Sequence, residues 1–104
     1  MPRRIVRRDA THGVIAEVWQ RCGWQVLDTA WAGQYAPGWP DLIATRWPLT
    51  VWIECKVPGE LLRDDQSAFA TALLAPYVIC YGAQDAQRQA ELWRDRADAC
   101  RGLW

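Results

Sequence analysis

The segment TVWIECKV, residues 50–57, is the most strand-like part of the chain and decides the fold. Its β-branched and aromatic residues favour a strand, and the Pro-Gly pair that follows ends it. Because side chains alternate across a sheet, Glu54 and Lys56 project from one face and Cys55 from the other. A strand this apolar is expected to be central in its sheet, where a carboxylate and an ammonium need a specific role. The alternative is a solvated Glu–Lys pair on an edge strand.

The segments on either side of this strand predict an α/β protein. Residues 41–45, DLIAT, form a second expected strand after Pro40, and Trp47-Pro48 is the turn between the two. Such a hairpin brings Asp41 near the Glu54 end of its partner. Apolar periodicity places helices on both faces of a mixed sheet. The expected order is α-β-β-β-α-β-α: a helix to about 22, a strand at 24–31, a loop at 32–39, the two strands above, a helix at 63–74, a strand at 77–81 and an extra C-terminal helix at 84–100.

The same periodicity predicts which helix faces point to the core. Asp9 or Thr11 is expected to cap the first helix. The residues expected inside are Val14, Ile15, Val18, Trp19 and Cys22 of the first helix, Phe69, Leu73 and Leu74 of the second, and Ala86, Ala90, Trp93, Ala97 and Cys100 of the last.

Composition is that of an ordinary globular protein. The 104 residues are enough for one domain, 1–104, with one core, and 51% of them are hydrophobic and 23% charged. The apolar runs are too short to span a bilayer and the N-terminus has no apolar signal core, so we expect a cytoplasmic protein. The four cysteines include no C-x-x-C pair and are expected to be small buried residues in a reducing compartment.

Asp41, Glu54 and Lys56 together indicate metal-assisted phosphodiester hydrolysis. Two converging carboxylates repel each other unless a cation neutralises them, and Mg²⁺ prefers one or two carboxylates together with waters and phosphate. The metal lowers the pKa of a bound water, and a neighbouring lysine can orient or deprotonate that water. Eleven of the twelve basic side chains are arginine and Lys56 is the sole lysine. A plain salt bridge could have used arginine, which favours the functional interpretation.

Two stretches around these residues resemble a known nuclease signature. GWPDLIA at 38–44, followed by VWIECK at 51–56, is similar to the PD-(D/E)xK nuclease superfamily. VPGEL at 57–61 with Gln66 resembles its VRR-NUC branch, and the layout is similar to that of archaeal Holliday-junction resolvases. The resemblance covers about residues 11–81. It implies a restriction-endonuclease-like α-β-β-β-α-β core and an Mg²⁺- or Mn²⁺-dependent endonuclease that cuts DNA, with branched or four-way DNA as the expected substrate.

The resemblance also implies a role for each site residue. Asp41, Glu54 and the backbone carbonyl of Cys55 would bind the metal, and Lys56 would handle the water. Gln66 would be a further catalytic residue that contacts the lysine, a water or the phosphate. The alternative for Gln66 is a polar residue on an exposed first turn of its helix.

The first helix departs from the family pattern. The family often has a glutamate on this helix about ten residues before the closing glycine, and counting back from Gly23 that place falls on His12. Glu17 lies about 140° further round the helix and is a poorer candidate. His12 could bind metal directly, bind it through a water, contact phosphate, or have no task.

Residues 1–9 are expected to form a flexible basic arm. Arg3, Arg4, Arg7 and Arg8 could bind DNA phosphates, or they could belong to a solvated terminus.

The loop tryptophans leave several roles open. Trp31, Trp39 and Trp47 lie in or beside loops near the expected site, whereas Trp19, Trp52 and Trp93 lie in regular elements and are expected in the core. The loop residues could stack on unpaired bases, cover the core, or form a dimer interface.

A homodimer is the expected assembly. One small domain with a net charge of zero offers little DNA-binding surface, and two copies would present two active sites to two strands. An origin in a phage or mobile element would suit such an enzyme. The competing functions are a catalytically inactive DNA-binding or assembly protein and a nuclease subunit of a larger complex.

Overall fold

The structure is a computed structural model that describes residues 10–103. The predictions for the basic arm and for Asp9 as a helix cap lie outside the described residues. Thr11 lies inside the first helix, so its predicted capping role is wrong. The predicted order of helices and strands is confirmed: α1 (Ala10–Arg21), β1 (Gln25–Asp28), a short 3-10 helix (Ala30–Gln34), β2 (Leu42–Arg46), β3 (Leu49–Lys56), α2 (Asp64–Ala72), β4 (Tyr77–Tyr81) and α3 (Gly82–Arg101).

The four strands form one mixed sheet in the order β1-β2-β3-β4. Strand β2 pairs with β1 and with β3 in antiparallel orientation, and β3 pairs with β4 in parallel. Strand β3 is therefore interior, as its apolar sequence predicted. The turn between β2 and β3 contains the cis peptide bond Trp47-Pro48, and the register pairs Leu42 with Ile53.

Helices α1 and α3 pack on one face of the sheet and enclose the core. Trp24 joins strand and helix, since its indole N–H donates to the carbonyl of Ala90 at 3.1 Å. Val14 is 40% exposed, so its predicted burial is wrong; it lies at the margin of the apolar stripe on α1. Trp93 and Cys100 are half-buried. The fully enclosed residues include Ile15, Val18, Trp19 and Cys22 of α1, Leu42, Ala44, Val51, Ile53, Val78 and Cys80 of the sheet, and Ala86, Ala90 and Ala97 of α3.

None of the four cysteines forms a disulfide. Cys22 and Cys80 are buried as predicted, whereas Cys55 and Cys100 are only partly buried. No helix among residues 10–103 is long and apolar enough to cross a membrane.

Strand β1 is shorter than predicted, and Trp31 is not part of it. The strand ends at Asp28, whose carboxylate accepts an N–H from the following turn at 3.2 Å. The N–H of Thr29 then donates to the carbonyl of Asp41 at 2.9 Å. The chain continues into the 3-10 helix, where Trp31 is 57% exposed.

Helix α2 lies on the opposite face of the sheet. Its Phe69 forms an aromatic cluster with Trp52 of β3 and with Trp39 of the loop before β2. The ring centroids of Trp39 lie 5.0 Å from Trp52 and 5.6 Å from Phe69. The helix ends earlier than predicted because Leu73 has extended backbone (φ −75°, ψ 128°). Leu74 is consequently fully exposed, and its predicted inward orientation is wrong.

Gly38 allows α2 to approach the loop before β2. Its φ is +84°, and a Cβ built there would lie 2.2 Å from the backbone oxygen of Asp65. We expect Gly38→Ala to lower the free energy of unfolding by about 2–6 kcal/mol, since the strained φ and the backbone clash each cost about 1–3 kcal/mol. Chemical denaturation of the purified variant measures this loss.

Gly59 is the matched control for Gly38. It has a similar φ of +92°, but nothing lies within 4 Å of a Cβ built on it. Gly59→Ala should therefore show the backbone strain alone, about 1 kcal/mol. Equal losses in the two variants would mean that the close approach of α2 contributes nothing.

Candidate active site

Asp41 and Glu54 meet at the end of the β2–β3 hairpin, as the sequence predicted. Asp41 immediately precedes β2, and Oδ2 of its carboxylate accepts the N–H of Cys55 at 2.9 Å. Thr29 fixes the backbone here, since its hydroxyl donates to the carbonyl of Pro40 at 3.0 Å. Glu54 is only 3% exposed, and its carboxyl group lies close enough to that of Asp41 for the two to interact electrostatically.

The environment of Glu54 strongly favours its protonated form. Burial, the neighbouring Asp41 carboxyl and its negative charge raise the pKa of the Glu54 carboxyl from 4.5 to about 9. Lys56 and Arg63 oppose this effect and only partly offset it. Without a cation, burial and the neighbouring carboxyl thus favour the form of the pair that holds a proton. A divalent cation would replace that proton, so this pair of carboxyls is chemically suited to a metal.

Two side chains hold the Glu54 carboxyl group from the α2 side. The amide Nε2 of Gln66 donates to Oε1 at 3.1 Å, and the hydroxyl of Tyr77 donates to Oε2 at 3.4 Å. Oε1 of Gln66 also accepts the N–H of Arg63 at 2.9 Å, which ties the first turn of α2 to the site. Gln66 is thus buried, not on an exposed turn, and its contact in the structure is Glu54.

Tyr77 also belongs to the site but was not predicted as a site residue, because in the sequence it stands out only as part of a strand. Burial, and then the charges of Glu54 and Asp41, raise the pKa of its hydroxyl, so the group stays protonated and donates. The parallel register pairs Trp52 with Tyr77. This register places Tyr77 two residues from Glu54 along the sheet. Its role at the site could be predicted only by predicting the register.

Lys56 is buried on the same face as Glu54. It is 6% exposed, and its Nζ lies 3.6 Å from Oε2 of Glu60. Glu60 is held in turn by its Oε1, which accepts the N–H of Val57 at 3.0 Å. The Pro58-Gly59 turn that brings Glu60 back toward Lys56 was visible in the sequence, but this contact was not predicted.

The alternation of backbone groups along β3 puts the carbonyl of Cys55 on the β2 side of the strand. The N–H of Trp52 donates to the carbonyl of Pro76 at 2.9 Å, on the β4 side. Backbone groups alternate in direction along a strand, so those of Cys55 point to the β2 side, where its N–H meets Asp41. This direction is compatible with the predicted role of the carbonyl as a metal ligand.

His12 lies close to the site, whereas Glu17 is exposed. The Nε2 atom of His12 lies 3.3 Å from Oδ2 of Asp28. A ring nitrogen of His12, a carboxylate oxygen of Asp41 and the sulfur of Cys55 lie within 4.8 Å of one another. The structure thus places His12 beside the candidate metal ligands. It does not lie at the start of the helix away from the site.

The loop tryptophans divide into two kinds. Trp31 and Trp47 are 57% and 59% exposed, and Trp39 belongs to the aromatic cluster under α2. Trp39 therefore covers the core, which was one of its open roles. The arginines at 3, 4, 7 and 8 lie outside the described residues.

No protein-family model, curated protein or solved structure matches this chain.

We expect the metal-free protein to lose stability as the pH rises from about 5 to 8. Since the folded-state pKa of Glu54 lies near 9 and its ordinary value is 4.5, the folded protein retains a proton that the unfolded chain releases. The resulting stabilisation is complete below the ordinary value and is lost as pH rises toward the folded value. Thermal unfolding in EDTA across this range measures the slope.

Glu54→Gln is the informative variant in this experiment. It removes the titrating group but keeps a side chain of the same shape, so its melting temperature should vary less with pH than that of the wild type. Glu17→Gln, on the exposed side of α1, should retain the wild-type slope. An unchanged slope in Glu54→Gln would show that this carboxyl is not the titrating group.

Proposed function

We propose that this protein is a metal-dependent DNA endonuclease with a restriction-endonuclease-like core. The observation that supports the proposal most strongly is the meeting of Asp41, Glu54 and Lys56, all partly or fully buried, at the end of one hairpin. Two neighbouring carboxyls, one buried and one partly buried, with a buried lysine close by are energetically costly in a protein interior. A catalytic metal centre would explain why the chain keeps these groups despite their energetic cost.

The donor set fits Mg²⁺, with Mn²⁺ as a substitute. Asp41, Glu54 and the Cys55 carbonyl would hold the ion, and all three offer oxygen, which hard cations prefer. The bound ion would supply a Lewis acid and a water of lowered pKa. Gln66 and Tyr77 keep the Glu54 carboxylate in one orientation through the hydrogen bonds described above.

Lys56 would act on the attacking water. Its amine is compact and can donate to, or accept a proton from, a single water. Glu60, 3.6 Å away, would restrict where the amine points. Because Glu60 is itself anchored to the backbone at Val57, the amine is positioned by the turn after β3 and not by solvent.

The proposed substrate is branched or four-way DNA, hydrolysed at phosphodiester bonds in the cytoplasm of a bacterium or phage-infected cell. Its support is the resemblance of residues 38–61 to resolvases and their relatives, together with the arginines at the N-terminus. These arginines would contact phosphates, a contribution to binding that does not depend on base sequence.

A substrate panel tests this proposal and its alternatives. The purified full chain is incubated with linear, nicked, flapped and four-way DNA in Mg²⁺ or in EDTA, and both cleavage and binding are recorded. We expect cleavage only with Mg²⁺, and faster on the four-way junction than on its matched duplex. Binding without cleavage would favour an inactive DNA-binding protein. Neither binding nor cleavage would contradict the nuclease proposal for this chain alone and favour a subunit of a larger complex.

We further propose a homodimer that forms at the β1 edge of the sheet. Leu27, Trp31 and Tyr35 are 51%, 57% and 81% exposed on β1 and the turn that follows it, and apolar groups of this size favour an interface. Light scattering at micromolar concentration should report a dimer, and Trp31→Asp should give a monomer. Trp47→Asp, which removes an equally exposed tryptophan from another turn, is the control. A monomeric wild type would contradict the proposal.

A further inference from the structure

A second cluster of metal-binding side chains lies beside the carboxylate pair. His12 lies in the first turn of α1, Asp41 precedes β2, and the Cys55 side chain projects from the face of β3 opposite to Glu54. One potential ligand atom from each of the three lies within 4.8 Å of the others. Asp41 stands at the margin of the sheet, where its carboxylate can reach both this cluster and Glu54.

The three donors belong to a different chemical class from the Asp41–Glu54 pair. Thiolate and imidazole are poor ligands for Mg²⁺ but good ligands for Zn²⁺ and Co²⁺. Tetrahedral coordination with Zn–N near 2.0 Å and Zn–S near 2.3 Å places ligand atoms about 3.3–3.8 Å apart. A group already within 4.8 Å reaches that spacing by small side-chain rotations.

The carboxylate of Asp28 lies beside the His12 ring. Its Oδ2 lies 3.3 Å from Nε2 of His12, and its Oδ1 accepts the backbone N–H of Ala30 at 3.2 Å. In metal-binding histidines, one ring nitrogen commonly donates its N–H to a carboxylate while the other binds the ion. Asp28, itself fixed by its hydrogen bond to the turn, thus lies where such a carboxylate partner would stand.

We propose that His12, Asp41 and Cys55 form a second metal site, selective for a borderline divalent transition-metal ion such as Zn²⁺. The ion binds the Cys55 sulfur as thiolate, and the thiol proton passes to solvent on binding. Three protein ligands leave a fourth position for water. Asp41 is common to both metal sites. The proposal does not depend on nuclease activity, because its test measures metal binding in the absence of DNA.

Cobalt spectroscopy tests the site without any DNA. The metal-free full chain, reduced and kept under nitrogen, is titrated with Co²⁺, and the thiolate-to-cobalt charge-transfer band in the near ultraviolet is recorded. We expect a band that saturates at one equivalent, disappears when Zn²⁺ is added, and persists in a large excess of Mg²⁺. Cys55→Ser should abolish the band, and His12→Ala should weaken Co²⁺ binding at least about tenfold.

Two further variants separate this site from the others in the chain. Cys100→Ser, which removes a half-buried cysteine of α3, should keep the full band. Glu54→Gln should keep it as well, because Glu54 belongs only to the proposed Mg²⁺ site. Circular dichroism confirms that each variant is folded, and His12→Ala provides the test if Cys55→Ser does not fold. Absence of the band in the wild type, its survival in Cys55→Ser, an unchanged Co²⁺ affinity in His12→Ala, or displacement of the band by Mg²⁺ would overturn the proposal.

Discussion

Asp41→Asn and Glu54→Gln are each expected to reduce Mg²⁺-dependent DNA cleavage by at least about a thousandfold while the protein stays folded. A catalytic metal supplies several kcal/mol of transition-state stabilisation, and 1.36 kcal/mol corresponds to a factor of ten in rate. Each amide keeps the shape of its carboxyl but weakens the hold on the cation. Asparagine also keeps an oxygen that can accept the Cys55 N–H, so the hairpin should retain its geometry.

The comparison needs an acidic residue outside the site. Asp64, exposed in the first turn of α2, is matched in charge, and Asp64→Asn should cleave at the wild-type rate. Single-turnover cleavage and Mn²⁺ titration are measured on all three variants, with thermal unfolding as the check on folding. Substantial cleavage by folded Asp41→Asn or Glu54→Gln would remove the basis for assigning these carboxyls to the metal.

Lys56→Arg is expected to retain the positive charge and lose about a hundredfold to ten-thousandfold in rate, the usual contribution of a general acid or base. The guanidinium of arginine is planar, carries several donors and stays protonated at any working pH. The amine of lysine is compact and can form a hydrogen bond with a single water. The lysine is also enclosed, 6% exposed, and the guanidinium is larger than the amine it would replace. Mn²⁺ binding should survive, because both carboxyls remain.

This substitution separates a chemical role for the lysine from simple charge balance. Arg88→Lys exchanges the same two residue types at an exposed position of α3. This control variant should cleave at the wild-type rate. Glu60→Gln should produce a smaller loss than Lys56→Arg, because Glu60 positions the amine without touching the water. Wild-type rates in Lys56→Arg would show that the lysine only balances the two carboxyls.

The part of the site that the sequence predicted is the part set by local periodicity. Alternation along β3 put Glu54 and Lys56 on one face, and the short turn at Trp47-Pro48 brought Asp41 to them. Strand β4 was predicted with its observed bounds, Tyr77–Tyr81, since its apolar run is flanked by clear breaks. In these segments, the local pattern and the tertiary packing favour the same structure.

The parts that were missed depend on contacts between distant segments. Tyr77 reaches Glu54 only because β4 pairs with β3 in one particular register. His12 was named from the sequence as a possible metal ligand, but its approach to the Cys55 side chain was not predicted, because it depends on α1 packing on that face of the sheet. Similarly, β1 ends at Asp28 because the chain there bonds to the residues before β2. A single sequence carries no local signal for such contacts.

The most direct test of the central claim is single-turnover cleavage of a labelled four-way junction by the wild-type chain and by Asp41→Asn, each in Mg²⁺ and in EDTA. We expect cleavage in one of the four reactions, the wild type with Mg²⁺, and recovery of activity when Mg²⁺ is restored after EDTA. Cleavage by wild type in EDTA, or equal cleavage by wild type and Asp41→Asn in Mg²⁺, would contradict a metal centre built on Asp41 and Glu54.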